Sequence, residues 1–153
     1  MARGHEERLA GLGIELPPVS KPVANYLGCK RVGDLLFVGG HGPTGPAGVV
    51  VGKVGGSLCT EQGRDAARLT ALALLATVRD ALGSLDRVRQ VVKVLGMVNC
   101  APGFNRTPAV IDGCSDLLVA VFGEAGRHTR SAVGMAELPF DIAVEIELIL
   151  EVD

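Results

Sequence analysis

The sequence predicts an α+β domain, a mixed β-sheet with two helices packed on one of its faces. Three observations predict it. Val144, Ile146, Leu148, Leu150 and Val152 alternate with Glu145, Glu147, Ile149 and Glu151, the period of two of a strand with one dry face. Residues 61–82 carry an apolar surface wider than a stripe, as a helix lying flat on a sheet requires. The segments also follow one another as hairpin, helix, strand, helix and two strands, which gives a helical layer over a mixed sheet.

Each element has its own warrant. Gly4 to Leu12 read as a short polar helix ended near Gly13, and Pro17, Pro18 and Pro22 enforce an extended segment after it. Residues 1–21 are thus an extension within one domain spanning 1–153. Tyr26–Val32 and Leu35–Val38 form a hairpin about Gly33-Asp34, and an extra short strand is expected at Val49–Val54. Thr60 is the expected N-cap of a helix from Glu61 to Leu82, with Glu61, Asp65, Arg68 and Arg79 on one narrow stripe and Gly83 as its stop. Val88–Asn99 is a long strand, broken by Ala101-Pro102-Gly103. A second helix covers Pro108–Phe122, followed by a loop over Gly123–Gly126. Strands Arg130–Leu138 and Ala143–Val152 close the chain across Pro139-Phe140-Asp141. Ile149, Leu95 and Val91 are assigned to the sheet face away from the helices. That face is too apolar to stay wet, so an oligomer is expected to cover it.

Composition narrows the functions. Hydrophobic residues make up 48% of the 153, which excludes a disordered chain. Aromatics are only 3%, with no Trp, so a base-stacking platform for single-stranded nucleic acid is absent. The formal net charge is −2 and the longest basic run is Lys30-Arg31. Both phosphate-driven nucleic-acid binding and a polybasic membrane patch are therefore disfavoured. No run approaches the roughly 18 apolar residues that span a membrane. Cys29, Cys59, Cys100 and Cys114 form no C-x-x-C pair, so no metal site is expected. With no export leader legible, these thiols are expected to be reduced, in the cytoplasm.

Gly40, Gly42 and Gly45 formally satisfy G-x-G-x-x-G. A dinucleotide site needs a helix next, so that its N-terminus meets the pyrophosphate. Pro46 and Val49-Val50-Val51 follow instead, and no nucleotide cofactor is expected. The glycines suit a tight turn and close backbone approach at a site rim.

Three segments together carry a family resemblance. Thr129-Arg130-Ser131-Ala132-Val133, Glu137-Leu138-Pro139 and Val144-Glu145-Ile146-Glu147 resemble the Arg-Ser-x-Val strand, Leu-Pro turn and Glu-Ile-Glu strand of the YjgF/RidA (reactive intermediate deaminase) family. The hairpin Asp34–His41 and Leu85-Asp86-Arg87-Val88 are similar as well, and the resemblance runs from Pro22 to the C-terminus. It implies a chorismate-mutase-like fold and a homotrimer with a small-molecule site between subunits. It also implies cofactor-free hydrolysis of 2-imino or 2-enamino acids to 2-keto acids and ammonia. The sequence departs from the active deaminases at identifiable positions. Val23 stands in place of Tyr, Gly39 of Ser, His41 of Gln and Asp112 of Asn, and 104–108 look like an insertion. These departures mark a divergent branch.

The candidate residues each carry two readings. Arg130 can grip a substrate carboxylate with two parallel hydrogen bonds, or be a strand-end cation paired with a local carboxylate. Glu145 can orient and activate water, or share a wet strand face with Glu147 and Glu151. Gly39, Gly40 and Ser131 offer backbone groups to the ligand. His41 can exchange protons near neutral pH, while His5 and His128 read as surface residues. Asp112 is a polar lining group or plain helix surface. A binding or regulatory trimer without chemistry is the alternative function. A ribonuclease or translation inhibitor is a third, disfavoured by the acidic balance and scarce aromatics.

Overall fold

The structure is a computed structural model and describes residues 4–153; residues 1–3 of the expected extension lie outside the described residues. The chain runs α1 (His5–Gly11), β1 (Cys29–Val32), β2 (Leu35–His41), β3 (Thr44–Gly45), β4 (Gly48–Val49) and α2 (Thr60–Leu82). β5 (Val88–Asn99), α3 (Thr107–Phe122), β6 (Thr129–Met135) and β7 (Val144–Val152) complete it. Five strands form one sheet in the order β1-β2-β7-β5-β6, and β3 pairs with β4 in a separate two-stranded ribbon. β5 and β6 are parallel and the other neighbours antiparallel. Parallel pairing needs a crossover, and α3 supplies it.

Both long helices pack on one sheet face, as the sequence predicts. Leu74 and Val78 of α2 join Val110, Ile111, Leu117 and Leu118 of α3 in a continuous core with Val94, Val98, Ile146 and Leu148 of the sheet. All ten are at most 2% exposed. Removing such side chains from water supplies the main favourable free energy, at about 1.5–3 kcal/mol each. Along β7 the residues alternate strictly between buried Val144, Ile146, Leu148, Leu150 and Val152 and the less buried set between them. Among the described residues, no helix is long and apolar enough to cross a membrane.

The differences from expectation have local causes. Val91 is buried in the helix-side core rather than on the outer face. β5 bulges between Val88 and Gln90 and again between Val91 and Lys93. Each bulge inserts one residue and turns the period of two into three, so Val88, Val91 and Val94 all point inward. Apolar residues remain on the outer face all the same. Leu35 and Phe37 are exposed there, Ile149 faces Phe37, and Leu95, Met97 and Val133 continue the patch.

Other boundaries also move. The first strand begins at Cys29 rather than Tyr26. The expected strand at Val49–Val54 reduces to β4 and single bridges at Val51 and Val54, because Gly52 breaks it with φ of 116°. β6 stops at Met135. Cys59, not Thr60, stands at the N-cap of α2, and its N–H donates to Gln62 Oε1 at 2.8 Å. Gly123–Gly126 forms a 3-10 turn rather than an open loop.

Candidate functional site

Strand register decides where the candidate side chains point. Arg130 pairs with Val94 across the parallel β5/β6 ladder, and Val94 is core. Arg130 therefore faces the helices. Ser131, the next residue, points to the outer face beside Leu95. Glu145 pairs with Met97 and lies between the core residues Val144 and Ile146, so it too points outward. Arg130 and Glu145 thus lie on opposite faces of one sheet, two strands apart.

On the helix side, Arg130 meets α3. Its Nη1 donates to Asp112 Oδ1 at 2.8 Å and to Ser115 Oγ at 3.1 Å. Nε and Nη2 make no hydrogen bond among the described residues. The Arg130 side chain is 23% exposed, so its remaining edge is accessible to a ligand. Ser115 and His128, which the sequence reading did not select, complete this cluster. His128 Nε2 lies 2.9 Å from Ser115 Oγ, and its Nδ1 lies 2.6 Å from the Gly126 carbonyl. Burial holds the His128 imidazole below its usual pKa, with nearby Arg130 adding to the effect against the Gly126 hydrogen bond. His128 is thus no ordinary surface histidine. Nor is His5, which bonds Val88 O and packs edge-on against Phe122.

On the other side, β2 bulges between Val38 and His41 where it pairs with β7. The bulge lets Val38 and His41 both face inward and leaves Gly39 and Gly40 exposed. Glu145 lies directly over Gly40. A Cβ built on Gly40 would sit 2.8 Å from the Glu145 carboxyl carbon, so only glycine admits this approach. Burial raises the Glu145 pKa, and Glu147 raises it further. Such a carboxylate is a better proton acceptor than a fully wet one.

His41 sits beneath this bulge, 8% exposed. Its Nδ1 is 2.7 Å from Gly39 O and its Nε2 2.8 Å from Thr77 Oγ1 of α2. Nδ1–H donates to the carbonyl and Nε2 accepts from the Thr77 hydroxyl. Burial pulls its pKa down, opposed by the Gly39 carbonyl. His41 braces the floor with both ring nitrogens engaged, which leaves neither for a ligand.

A cleft of about 290 Å³ opens beside the same bulge, between Gly39, Gly40, Gly42 and the apolar residues Val23, Leu27 and Phe140. Val23 is 82% and Phe140 84% exposed, so this rim is bare. Phe140 and Asp141 both hold φ of 57°, a left-handed backbone uncommon outside glycine. The buried Asn99 anchors the turn through Nδ2, which donates to Asp141 Oδ1 at 2.9 Å and to Ile142 O at 3.1 Å. Lys53 Nζ donates in turn to Asn99 Oδ1 at 2.8 Å.

Cys114 is fully buried and its pKa is pushed up to about 12 by that burial. Among the described residues no group of His, Cys, Asp and Glu side chains could hold a metal ion.

This arrangement, a helix-backed mixed sheet with Arg130 and Glu145 on opposite faces, defines a YjgF-like class of fold. The chain belongs to the YjgF family: residues 6–152 match the model described as YjgF/chorismate mutase-like, putative endoribonuclease. Protein TCP17 of Trypanosoma cruzi is 43% identical over 147 residues, 95% of this chain and 92% of that protein. The crystal structure of a protein of unknown function from Agrobacterium tumefaciens is similar, with a TM-score of 0.89 at 42% identity; the match covers 97% of this chain and 92% of that one. A structure from Shewanella oneidensis, named for endoribonuclease activity, has a TM-score of 0.94 at 32% identity, covering 98% and 100%.

Proposed function

We propose that the protein hydrolyses small 2-imino and 2-enamino acids to 2-keto acids and ammonia, at a site between subunits of a homotrimer. The observation that carries this reading is the state of Arg130. Its Nη1 is anchored to Asp112 and Ser115, and its Nε–Nη2 edge is left without a partner among the described residues. That edge presents two parallel N–H donors, the pattern that recognises a carboxylate.

The chemistry asks little more of the protein. An enamine first tautomerises to the imine, whose carbon is already electrophilic. Arg130 holds the carboxylate, and the exposed backbone of Gly40 and Ser131 fixes the rest of the ligand. Gly39 is not among these groups, because its N–H donates to Gly28 O at 3.0 Å and its carbonyl accepts from His41. Glu145 takes a proton from water as its oxygen bonds to the imine carbon. That proton passes to the imine nitrogen, which gives the carbinolamine. Glu145 then takes the hydroxyl proton as the C=O bond forms and the C–N bond breaks, and delivers it to the nitrogen, which leaves as ammonia. The gain comes from orientation and charge placement.

Arg130 and Glu145 lie on opposite faces of their sheet, so one copy cannot bring both to one ligand. A neighbouring copy can, with Arg130 from one subunit and Glu145 from the next. The apolar outer patch of Leu35, Phe37, Leu95, Met97, Ile149 and Val133 gives the copies a surface to bury. Ammonia release from freshly generated 2-aminoacrylate, with and without the protein, tests the reaction. A release rate unchanged by the protein overturns it.

A trimer that binds a 2-keto or 2-imino acid without transforming it is the second reading. Val23 and Gly39 favour it, because they remove a hydroxyl each from the cleft rim where the active deaminases carry Tyr and Ser. An RNA-cleaving role fits the surface less well. Glu145, Glu147 and Glu151 share the outer face and repel phosphates.

A further inference from the structure

We infer that Ser115 and His128 are positioning residues for Arg130, a hydrogen-bond relay that fixes which edge of the guanidinium is offered to an anion. The inference rests on the reading of Arg130 as the carboxylate-binding group. It adds two residues that no motif of the chain assigns.

The direction of each hydrogen bond follows from the chemistry of its partners. Gly126 offers a carbonyl, which can only accept, at 2.6 Å from His128 Nδ1. Nδ1 therefore carries the proton, and in the neutral ring Nε2 is left as an acceptor. Ser115 Oγ, 2.9 Å away, donates its single proton to Nε2. Its lone pairs then face Arg130 Nη1, which can only donate, at 3.1 Å. Each bond fixes the next, from the turn at Gly126 through His128, just before β6, to Ser115 of α3 and on to Arg130.

Asp112 alone would not achieve this. A guanidinium has five N–H donors and turns readily about a single carboxylate. Asp112 is 42% exposed and engages Nη1 through one oxygen only, so it leaves the rotation open. It could also take the Nε–Nη2 edge itself and compete with the ligand carboxylate. Ser115 supplies the second point of contact. It binds Nη1 at a place where a carboxylate cannot slide to the other edge, and the neutral acceptor at His128 keeps its lone pairs turned to the arginine. The relay needs nothing from the outer sheet face, so it is complete in one subunit.

The test has two independent readouts on the intact oligomer. The first uses protein labelled with 15N at arginine, with the Arg130 signals identified by their loss in Arg130→Ala. Slow rotation about the Nε–Cζ bond, seen as separate Nη1 and Nη2 signals, is expected in the parent and in Ser115→Thr, which keeps the hydroxyl. Collapse to averaged signals is expected in Ser115→Ala and in His128→Ala. Averaged signals in the parent, or separate signals retained in Ser115→Ala, overturn the inference whether or not any ligand binds.

The second readout is the affinity for pyruvate. Ser115→Ala and His128→Ala should each weaken it about tenfold, the effect of losing one hydrogen bond to a charged group. The double variant should be no weaker than either single one, because the two act in one chain. Independent, additive losses overturn the relay. If the parent itself fails to bind pyruvate, the carboxylate-binding reading of Arg130 falls, while the nitrogen signals still decide whether Ser115 and His128 hold the guanidinium.

Discussion

Arg130 and Glu145 stand on opposite faces of the same β-sheet, separated by β5, with Arg130 turned toward Asp112 of α3 and Glu145 lying over Gly40 of β2. Two groups placed so cannot act on one ligand within a single chain. If they act together, they come from different copies, and each copy contributes to two sites.

That relationship predicts complementation. Arg130→Ala and Glu145→Gln should each abolish most hydrolysis. Mixed by unfolding and refolding together in equal amounts, they should recover about one quarter of the parent activity. Three of every four random trimers are mixed, and each mixed trimer regenerates one intact site of its three. No recovery in verified mixed trimers would place both residues in the same subunit's site or outside the site altogether.

Arg130 also separates binding from folding. Arg130→Ala should lose 2-keto acid binding, while the melting temperature changes little, since its Asp112 partner is 42% exposed and can be hydrated. Arg130→Lys should recover binding only in part, because an ammonium cannot present two parallel donors. Titration calorimetry with pyruvate, beside a thermal melt of each variant, checks both halves.

Glu145 should show a conflict between stability and activity. Its folded-state pKa is raised, so the folded protein holds this proton more tightly than the unfolded chain does. Stability contributed at low pH is then lost as pH rises through the ordinary glutamate value of 4.5 and beyond. Glu145→Gln removes that loss. It should melt higher than the parent at neutral pH, with the gap closing below pH 4.5, and should lose hydrolysis while keeping ligand affinity. Glu147→Gln serves as the exposed control on the same strand and should change much less. Equal loss of activity in both would assign the effect to the charge of the strand face.

The sequence made some of this legible. The β7 alternation marked its dry face directly, and the apolar breadth of 61–82 marked α2. The Arg130 and Glu145 motifs could be found because they are local runs. What escaped was tertiary. Val91 turned inward because two bulges reset the period of β5, and no residue in the run announces a bulge. Ser115 and His128 lie on different elements and meet only when β6 docks beside α3. His41 looked like a proton carrier in a Gly-rich loop. Its burial and its bond to Thr77, 36 residues away, are invisible along the chain.

The two engaged histidines predict the acid limb of stability. His41 and His128 both have folded-state pKa values depressed, first of all by burial. The unfolded chain therefore binds more protons, and stability falls as pH drops through the ordinary histidine value of 6.5 until the folded-state values are reached. His41→Gln should be less stable than the parent at pH 8 by about 1–3 kcal/mol, from the disturbed bonds to Gly39 and Thr77. It should also show a shallower decline below pH 6.5. Urea unfolding at a series of pH values measures both, and a decline as steep as the parent's would remove His41 from the account.

Phe140 tests whether the strained turn serves the cleft. Its backbone φ of 57° suits glycine, and a non-glycine residue held there costs about 1–3 kcal/mol unless its surroundings enforce it. Asn99 enforces it here, and the ring it displays is 84% exposed at the cleft rim beside Val23. Phe140→Gly should therefore leave stability unchanged or raise it, although glycine gains freedom in the unfolded chain. If the ring contacts the ligand side chain, the same variant should weaken binding of a branched or aromatic 2-keto acid while leaving pyruvate nearly unaffected. Asn99→Ala should reproduce that selectivity loss at a clear cost in melting temperature, because it frees the turn and leaves the buried end of β5 without its polar partner. Equal weakening for pyruvate and the larger acids would remove Phe140 from specificity. Loss of the oligomer in Phe140→Gly, read by sedimentation, would instead assign the exposed ring to the contact between subunits.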